Sequence, residues 1–268
     1  MRLSLTRLAL SLAALALLAC ISPPRERLTE LAERAYPTCA EGEAAAPERR
    51  AQGELRSGDA MASENVRERF SIGPRDCHVV LEARQEWVMS TTELEVVFDR
   101  DLLPLRAWKR TTSAGPQPIA RRTDVRSYDL RATPVEMRRR TPEGVLELFR
   151  VGRLVPRAII GPGRGLITAW LWRARLEVGG RLREPVLDIR ERIEIVREAT
   201  LMRLPDQHVD TLGRTARVYT IYGREPIFAD DDDVVIGDLM GLVSPDHATG
   251  AAPVEIETDG PADPRRPL

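Results

Sequence analysis

Apolar and charged residues alternate along much of this chain, from about Val66 into its last quarter. The segments Val79–Ala83 and Leu94–Phe98 show the pattern, with apolar residues at every second position and Glu or Arg among the positions between them. Successive side chains of a β-strand point to opposite faces, so each segment predicts a strand with one buried face and one solvated face. Strong helical periodicity is nearly absent here, and we predict a mainly β body of antiparallel hairpins.

Turn residues divide these strands into hairpins. Thr141–Gly144 places Pro and Gly between two predicted strands at 135–140 and 145–151, in positions that suit a tight turn. Gly179-Gly180 is predicted to join two further strands, and a last hairpin is predicted from about Thr200 to Tyr222. An antiparallel sheet with one apolar face must cover that face. The sheet is therefore expected to form a half-barrel or a sandwich, and the alternation is the same in both.

The candidate ligand-binding residues lie on either side of Gly179-Gly180, where apolar side chains at alternate positions would share one face. They would line the interior of the sheet and are Trp170, Trp172, Leu176, Val178, Leu187 and Ile189. The order of elements, a helix followed by a long run of hairpins, is similar to that of periplasmic half-barrels that carry lipids or lipoproteins. This resemblance implies a lipid or lipoprotein ligand.

The first twenty residues are typical of an export signal. Arg2 and Arg7 precede an uncharged stretch at 8–19, which is shorter than the about 20 residues that span a bilayer. Leu17-Leu18-Ala19-Cys20 resembles the lipobox of bacterial lipoproteins, which signal peptidase II cuts before the cysteine. The resemblance implies that residues 1–19 are a signal peptide and that Cys20 carries a diacylglycerol and an N-acyl chain such as palmitate. The alternatives are an ordinary secretory signal and an uncleaved apolar anchor.

The segment after Cys20 predicts where the protein is anchored. Ile21–Pro24 lacks the Asp that retains many such lipoproteins in the inner membrane. By that rule of the family, we expect a lipid-anchored protein on the periplasmic side of the outer membrane.

The rest of the chain divides into three parts. Residues 20–65 are predicted to form a tether, with a short helix over Pro24–Ala35 and a flexible linker over Glu41–Ala62. Residues 66–243 are predicted to form the β-rich domain. Residues 244–268 are rich in Pro, Gly, Ala and Asp and are predicted to be a disordered tail.

The cysteines predict a disulfide. With Cys20 assigned to the lipid, Cys39 and Cys77 remain, an even pair in an oxidising compartment. The alternative is a metal or nucleophilic pair that involves His78.

Charge and motifs exclude several classes of function. The net charge of -1 provides no global field toward nucleic acid, and Lys109 is the only lysine, so arginines balanced by Asp and Glu supply almost all positive charge. The chain has no G-x-S-x-G, H-E-x-x-H or C-x-x-C pattern. Asp230–Asp233 lacks the spacing of a calcium loop and is interpreted as a solvated turn, and Gly161–Gly165 as a flexible loop.

We therefore predict a non-catalytic protein without a cofactor or metal ion. Its predicted partners are the membrane, through the lipid anchor, and a lipid or another envelope protein, with no nucleic acid. The alternative is a structural or assembly component of the cell envelope without a ligand cavity.

Native mass spectrometry of the non-lipidated domain from Ile21 onward tests these expectations. A reproducible extra mass that denaturation releases as lipid is expected for a carrier. The Cys39–Cys77 disulfide lowers the mass by two hydrogen atoms relative to the reduced chain. A ligand-free mass would favour the structural alternative.

Overall fold

The structure is a computed structural model that describes residues 37–57, 66–114, 121–190, 194–223, 225–238 and 242–244. These residues form fifteen strands, one α-helix and a 3-10 turn at Asp210–Leu212. The helix, α1, spans Gly165–Ala174. The strands are β1 (Ala51–Ser57), β2 (Arg67–Arg75), β3 (His78–Glu86), β4 (Ser90–Phe98), β5 (Pro104–Ala114), β6 (Arg121–Asp129), β7 (Val135–Arg140), β8 (Leu146–Val151), β9 (Ala158–Ile160), β10 (Arg181–Asp188), β11 (Ile195–Val209), β12 (Arg214–Ile221), β13 (Glu225–Ala229), β14 (Val235–Asp238) and β15 (Leu242–Val243).

All of these strands belong to one sheet, in the order β8-β7-β6-β5-β4-β3-β2-β1-β15-β14-β13-β12-β11-β10-β9. Every pairing is antiparallel except that of β9 with β10. The hairpin series β1–β8 and the series β10–β15 meet where β1 pairs with β15, with Arg56 opposite Val243. The mainly β, antiparallel fold with a half-barrel confirms the predicted fold class.

The helix α1 lies inside this curved sheet. Leu166, Ala169 and Trp172 pack in one core cluster with side chains of β2–β10. Ile167, Trp170 and Leu171 pack in a second cluster with side chains of β9–β14 and with Leu55 of β1. Every residue from Gly165 to Trp172 is buried. A helix that is apolar all round must be buried all round, and the two halves of the sheet provide that environment.

The sheet curls far enough for distant strands to touch. Lys109 on β5 donates from Nζ to the carbonyl oxygen of Ile189, which follows β10, at 2.8 Å. Glu194, just before β11, accepts hydrogen bonds from Arg126 and from the Tyr128 hydroxyl on β6. We call these residues the seam cluster. They connect the β5–β6 side of the sheet to the β10–β11 side.

Our prediction of a strand over 170–178 is wrong. Trp170, Trp172 and Ala174 alternate with Arg173 and Arg175 at a period of two, but 165–172 is an uncharged run, apolar except for Thr168, that also suits a buried helix. Arg175 ends the helix in the left-handed conformation, with φ of 47°. Gly179-Gly180 consequently joins α1 to β10, rather than two strands.

The glycine-rich segment before α1 is buried, rather than a flexible surface loop. Gly161, Gly163 and Gly165 are all buried. A Cβ at Gly165 would lie 2.8 Å from the ring of Phe70 on β2 and 2.9 Å from Leu81 on β3. The absence of side chains at these positions lets the chain pass from β9 into the interior of the sheet.

The structure also corrects the predicted start of the β-rich domain. Ala51–Ser57, which we placed in a flexible linker, forms β1 in the middle of the sheet, and it pairs with β2 over six residue pairs. Leu55 of β1 is fully buried in the second core cluster. The signal peptide, Cys20, the helix predicted over Pro24–Ala35 and the tail after residue 244 lie outside the described residues.

Other predicted turns are confirmed. Thr141–Gly144 joins β7 to β8, with Gly144 at φ of 81°. The hairpin predicted from about Thr200 to Tyr222 is β11–β12, which turns at Asp210–Gly213, but it is not the last, since β12–β13 and β13–β14 follow it. Asp230–Asp233 is the turn between β13 and β14, where the Asp230 carboxylate accepts from the backbone N–H groups of Asp232 and Val234.

The predicted disulfide joins the N-terminal segment to the β2–β3 turn. Cys39 and Cys77 are bonded, with Cα atoms 5.9 Å apart. The β4–β5 and β13–β14 turns lie at the same end of the sheet, which we call the disulfide end. Among the described residues, no helix is long and apolar enough to cross a membrane.

The buried position of α1 generates a stability prediction. Trp170→Ala removes a side chain that is 1% exposed and should lower the free energy of unfolding by about 3–5 kcal/mol. The matched control is Val178→Ala, because Val178 is 57% exposed and should change stability by less than about 0.5 kcal/mol. Urea denaturation measures both, and equal losses would contradict the described placement of α1.

Candidate functional site

An open cavity of about 410 Å³ lies at the disulfide end, where α1 ends. Four parts of the chain surround it: the segment before β1, the start of β3, the β4–β5 turn and the C-terminal turn of α1. The lining residues are Pro47, Arg49, Val79, Arg100, Asp101, Leu102, Trp172, Arg173 and Arg175. We call this cavity the arginine pocket.

Four guanidinium groups, those of Arg49, Arg100, Arg173 and Arg175, make the lining of the pocket cationic. Arg173 is ion-paired with Glu184, and its Nε is buried without a hydrogen-bond partner among the described residues. Arg175 donates from Nε to the carbonyl oxygen of Trp172 at 3.4 Å and has no ion-pair partner in the described part of the chain. Arg100 is exposed and has neither kind of partner there. The pocket therefore presents guanidinium N–H groups that can donate hydrogen bonds to an anion.

One wall of the pocket is aromatic and apolar. The guanidinium of Arg49 lies over the ring of Trp172, 4.1 Å from its centroid. Val79 is buried, and Leu102 is half-buried. Stacked guanidinium groups stay available for hydrogen bonds in the plane of the group. The pocket thus combines a cationic rim with an apolar wall.

Acidic residues of the β13–β14 turn, close to the pocket, already form hydrogen bonds or ion pairs. Arg49 and Trp172 both donate to the backbone carbonyl of Asp232, at 2.5 Å and 2.9 Å. The carboxylate of Asp233 accepts from Arg217 and from the hydroxyl of Tyr219. Asp101 is the carboxylate that lines the pocket itself. The four aspartates of 230–233 thus form a turn and two ion pairs, of Asp233 with Arg217 and of Asp231 with Arg214, and we assign no calcium site to them.

The residues predicted to line a ligand-binding interior are not brought together in one cavity. Leu187 and Ile189 are fully buried and pack with Trp172 in the first core cluster, whereas Trp170 belongs to the second. Leu176 packs at the margin of that second cluster. Val178 is exposed, because the chain leaves α1 for the turn before β10. Of the six, Trp172 alone lines the arginine pocket.

Sequence reasoning missed the arginine pocket for a physical reason. Its arginines come from three segments that are far apart in the chain, and no local spacing relates them. The sequence signal that existed was the position of Trp172 next to Arg173 and close to Arg175, a spacing that in a strand would place the tryptophan and the arginines on opposite faces.

A second polar cluster lies at the other end of α1. Glu68 is fully buried and accepts a hydrogen bond from the backbone N–H of Arg164 at the start of the helix. Arg164 also pairs with Asp238, at 2.6 Å. Gln85 donates to the carbonyl oxygen of Pro162 at 2.7 Å, and to Glu68 at 3.4 Å. Burial raises the pKa of Glu68 to about 7, although Arg164 opposes the shift.

The seam cluster is the third group of buried charges. Lys109 is 7% exposed, and burial lowers the pKa of its ammonium group to about 8, with the nearby charge of Arg126 acting in the same direction. Arg126 pairs with Asp124 and with Glu194. Lys109 has Glu194 at 4.0 Å and the Ile189 carbonyl at 2.8 Å. These contacts satisfy the buried charges, and we assign the seam cluster a structural role.

Comparison with known proteins gives one distant structural likeness. No family model and no curated protein matches the chain. The crystal structure of a DUF1089 family protein from Pseudomonas aeruginosa matches with 14% sequence identity and a TM-score of 0.39. The match covers 77% of this chain and 96% of that one. A likeness at this level assigns neither a family nor a function to the chain.

The raised pKa of Glu68 generates a prediction about pH. Its pKa is higher in the folded chain, about 7, than the ordinary 4.5, so folding favours the protonated carboxyl. The contribution of Glu68 to stability is therefore greatest below pH 4.5 and is lost as pH rises to about 7, at up to ~1 kcal/mol per pH unit. Glu68→Gln should remove this part of the pH dependence.

Chemical denaturation at a series of pH values measures the effect as the difference between wild type and variant. Glu82→Gln is the control, because the side chain of Glu82 is 47% exposed on the neighbouring strand β3. A difference that stays constant from pH 4.5 to pH 7 would show that Glu68 ionises normally.

Proposed function

We propose that this chain is a lipid-anchored envelope protein that binds an acidic lipid head group in the arginine pocket, without catalysing a reaction. The observation that carries the proposal is the convergence of Arg49, Arg100, Arg173 and Arg175 on one open cavity. Guanidinium groups bind phosphate through paired N–H donors and remain charged at any physiological pH. The apolar wall formed by Val79, Leu102 and Trp172 suits the glycerol and the first methylene groups of a lipid.

The filled interior of the half-barrel favours recognition of the head group rather than enclosure of whole acyl chains. Trp170, Leu187 and Ile189, which we expected to face a ligand, are at most 1% exposed and pack around or within α1. An acyl chain in that space would have to displace the helix and its apolar contacts. The arginine pocket needs no such rearrangement.

The position of the pocket agrees with a membrane-anchored protein. Cys39 fixes the N-terminal segment at the disulfide end, the end at which the pocket opens. If Cys20 carries the lipid, the 18 residues between Cys20 and Cys39 connect the bilayer to this end of the domain. The pocket would then face the membrane surface, where acidic head groups are concentrated.

A structural or assembly role is the second candidate. It is favoured by the close packing of α1 between the two halves of the sheet, since a protein without a ligand would have its core filled in this way. In that case the arginines would serve the local packing at the end of the helix, and the pocket would have no preference for anionic lipids.

Binding of short-chain lipids separates the two candidates. The full chain carrying Cys20→Ser, which cannot be acylated, should bind monomeric dihexanoyl phosphatidylglycerol in preference to the phosphatidylcholine analogue. Arg100→Gln with Arg175→Gln should weaken that binding by at least about tenfold, because each lost charge-assisted hydrogen bond contributes about 1.5–3 kcal/mol. Isothermal titration calorimetry at two salt concentrations measures the affinity and its electrostatic part.

The control is Arg84→Gln, on an exposed arginine of β3 that pairs with Glu86 away from the pocket. It should leave lipid binding unchanged. Equal binding of the two lipids, or equal losses in the pocket and control variants, would overturn the proposed function.

A further inference from the structure

The Cys39–Cys77 disulfide lies against an imidazole. Nδ1 of His78 is 3.1 Å from Sγ of Cys77 and 3.8 Å from Sγ of Cys39. The three side chains place one possible metal ligand each within 4.8 Å of one another. Cys77 and His78 are buried, whereas Cys39 is exposed. Solvent and solutes therefore reach the cluster from the side of Cys39.

The cluster does not depend on the disulfide alone to stay assembled. Ala46 is buried in the first core cluster, and its backbone N–H donates to the carbonyl oxygen of Asp76 at 2.9 Å. Arg49 is held by the ring of Trp172 and the carbonyl of Asp232. These contacts fix the segment after Cys39 beside the β2–β3 turn, so the two sulfurs remain neighbours when the bond between them opens.

The distances suit a metal ion with thiolate and imidazole ligands. Zinc bonds of about 2.3 Å to sulfur and 2.0–2.1 Å to nitrogen place tetrahedral sulfur and nitrogen ligands about 3.5 Å apart. The two sulfur-to-nitrogen distances, 3.1 Å and 3.8 Å, lie on either side of that value. The backbone N–H of Cys77 also donates to Sγ of Cys39 at 3.3 Å, which favours a thiolate there.

We propose that reduction of the Cys39–Cys77 disulfide converts this cluster into a binding site for a thiophilic metal ion such as Zn²⁺. The ligands are the two thiolates and Nδ1 of His78, with water in the fourth position on the exposed side. The disulfide bond and the metal ion exclude each other, because both require the same sulfur atoms. The oxidised protein is therefore the metal-free form.

A dithiol reductant supplies the electrons and protons that open the Cys39–Cys77 disulfide. The disulfide accepts two electrons and two protons, and the dithiol becomes a disulfide in turn. Binding of Zn²⁺ then releases the two thiol protons to solvent and uses the neutral imidazole, so affinity rises with pH.

Cobalt binding tests the proposal, since Co²⁺ reports thiolate coordination through its absorption spectrum. The full chain carrying Cys20→Ser has Cys39 and Cys77 as its remaining cysteines. After reduction with a phosphine, it should bind one equivalent of Co²⁺ with a thiolate charge-transfer band, and Zn²⁺ should displace the cobalt. The oxidised chain should show no such band.

Two variants assign the ligands. His78→Ala should weaken Co²⁺ binding at least tenfold, while His208→Ala, on an exposed histidine of β11, should leave it unchanged. Cys39→Ser lacks the disulfide just as the reduced chain does, so the reduced wild type is its reference for folding. It should weaken Co²⁺ binding at least tenfold and lower the charge-transfer band to that of one thiolate. The proposal is overturned if the reduced chain binds no Co²⁺, or if Cys39→Ser or His78→Ala binds it as tightly as His208→Ala does.

Discussion

The burial of α1 within a single curled sheet is the interaction on which the rest of the structure depends. The helix carries apolar side chains on all sides and no acidic residue in its first turn, so it is unsuited to the surface. The sheet, in turn, has an apolar concave face that needs a partner. One side of the helix packs mainly against β2–β8 and the other mainly against β9–β14. Leu187 of β10 and Leu55 of β1 cross this division, since each packs in the cluster of the opposite half of the sheet. The half-barrel and the helix thus stabilise each other.

The order of the sheet follows from this arrangement. The first eight strands form one continuous hairpin series, and the chain then enters the interior through β9 and α1 before the second series begins. Three glycines make that entry possible, and the parallel pairing of β9 with β10 is its topological result. Buried charges occur where apolar packing ends: Glu68 beside the start of the helix, and Lys109 with Glu194 where the two sides of the sheet meet.

The sequence predicts β3, β4 and the β7–β8 hairpin well, because alternation of apolar and polar residues fits a half-buried strand and does not fit a helix. It predicts the helix poorly, because the apolar run before Arg173 satisfies a period of two and a period of 3.6 equally. It misses β1, because apolar and polar residues do not alternate in the sequence of this strand. The disulfide could be predicted by counting cysteines. The arginine pocket could not, since its residues meet only through the curvature of the sheet.

The chain's only lysine is the buried Lys109, and this has a consequence for the chemistry of the folded surface. Every exposed cationic side chain in the described part of the chain, histidines aside, is a guanidinium. Reagents and enzymes that acylate primary amines find no reactive side chain there, because the one ammonium group is held against the carbonyl of Ile189. Guanidinium groups also keep their proton in strongly alkaline solution. The outer surface therefore keeps its positive charges at pH values at which a lysine-rich protein would have lost them.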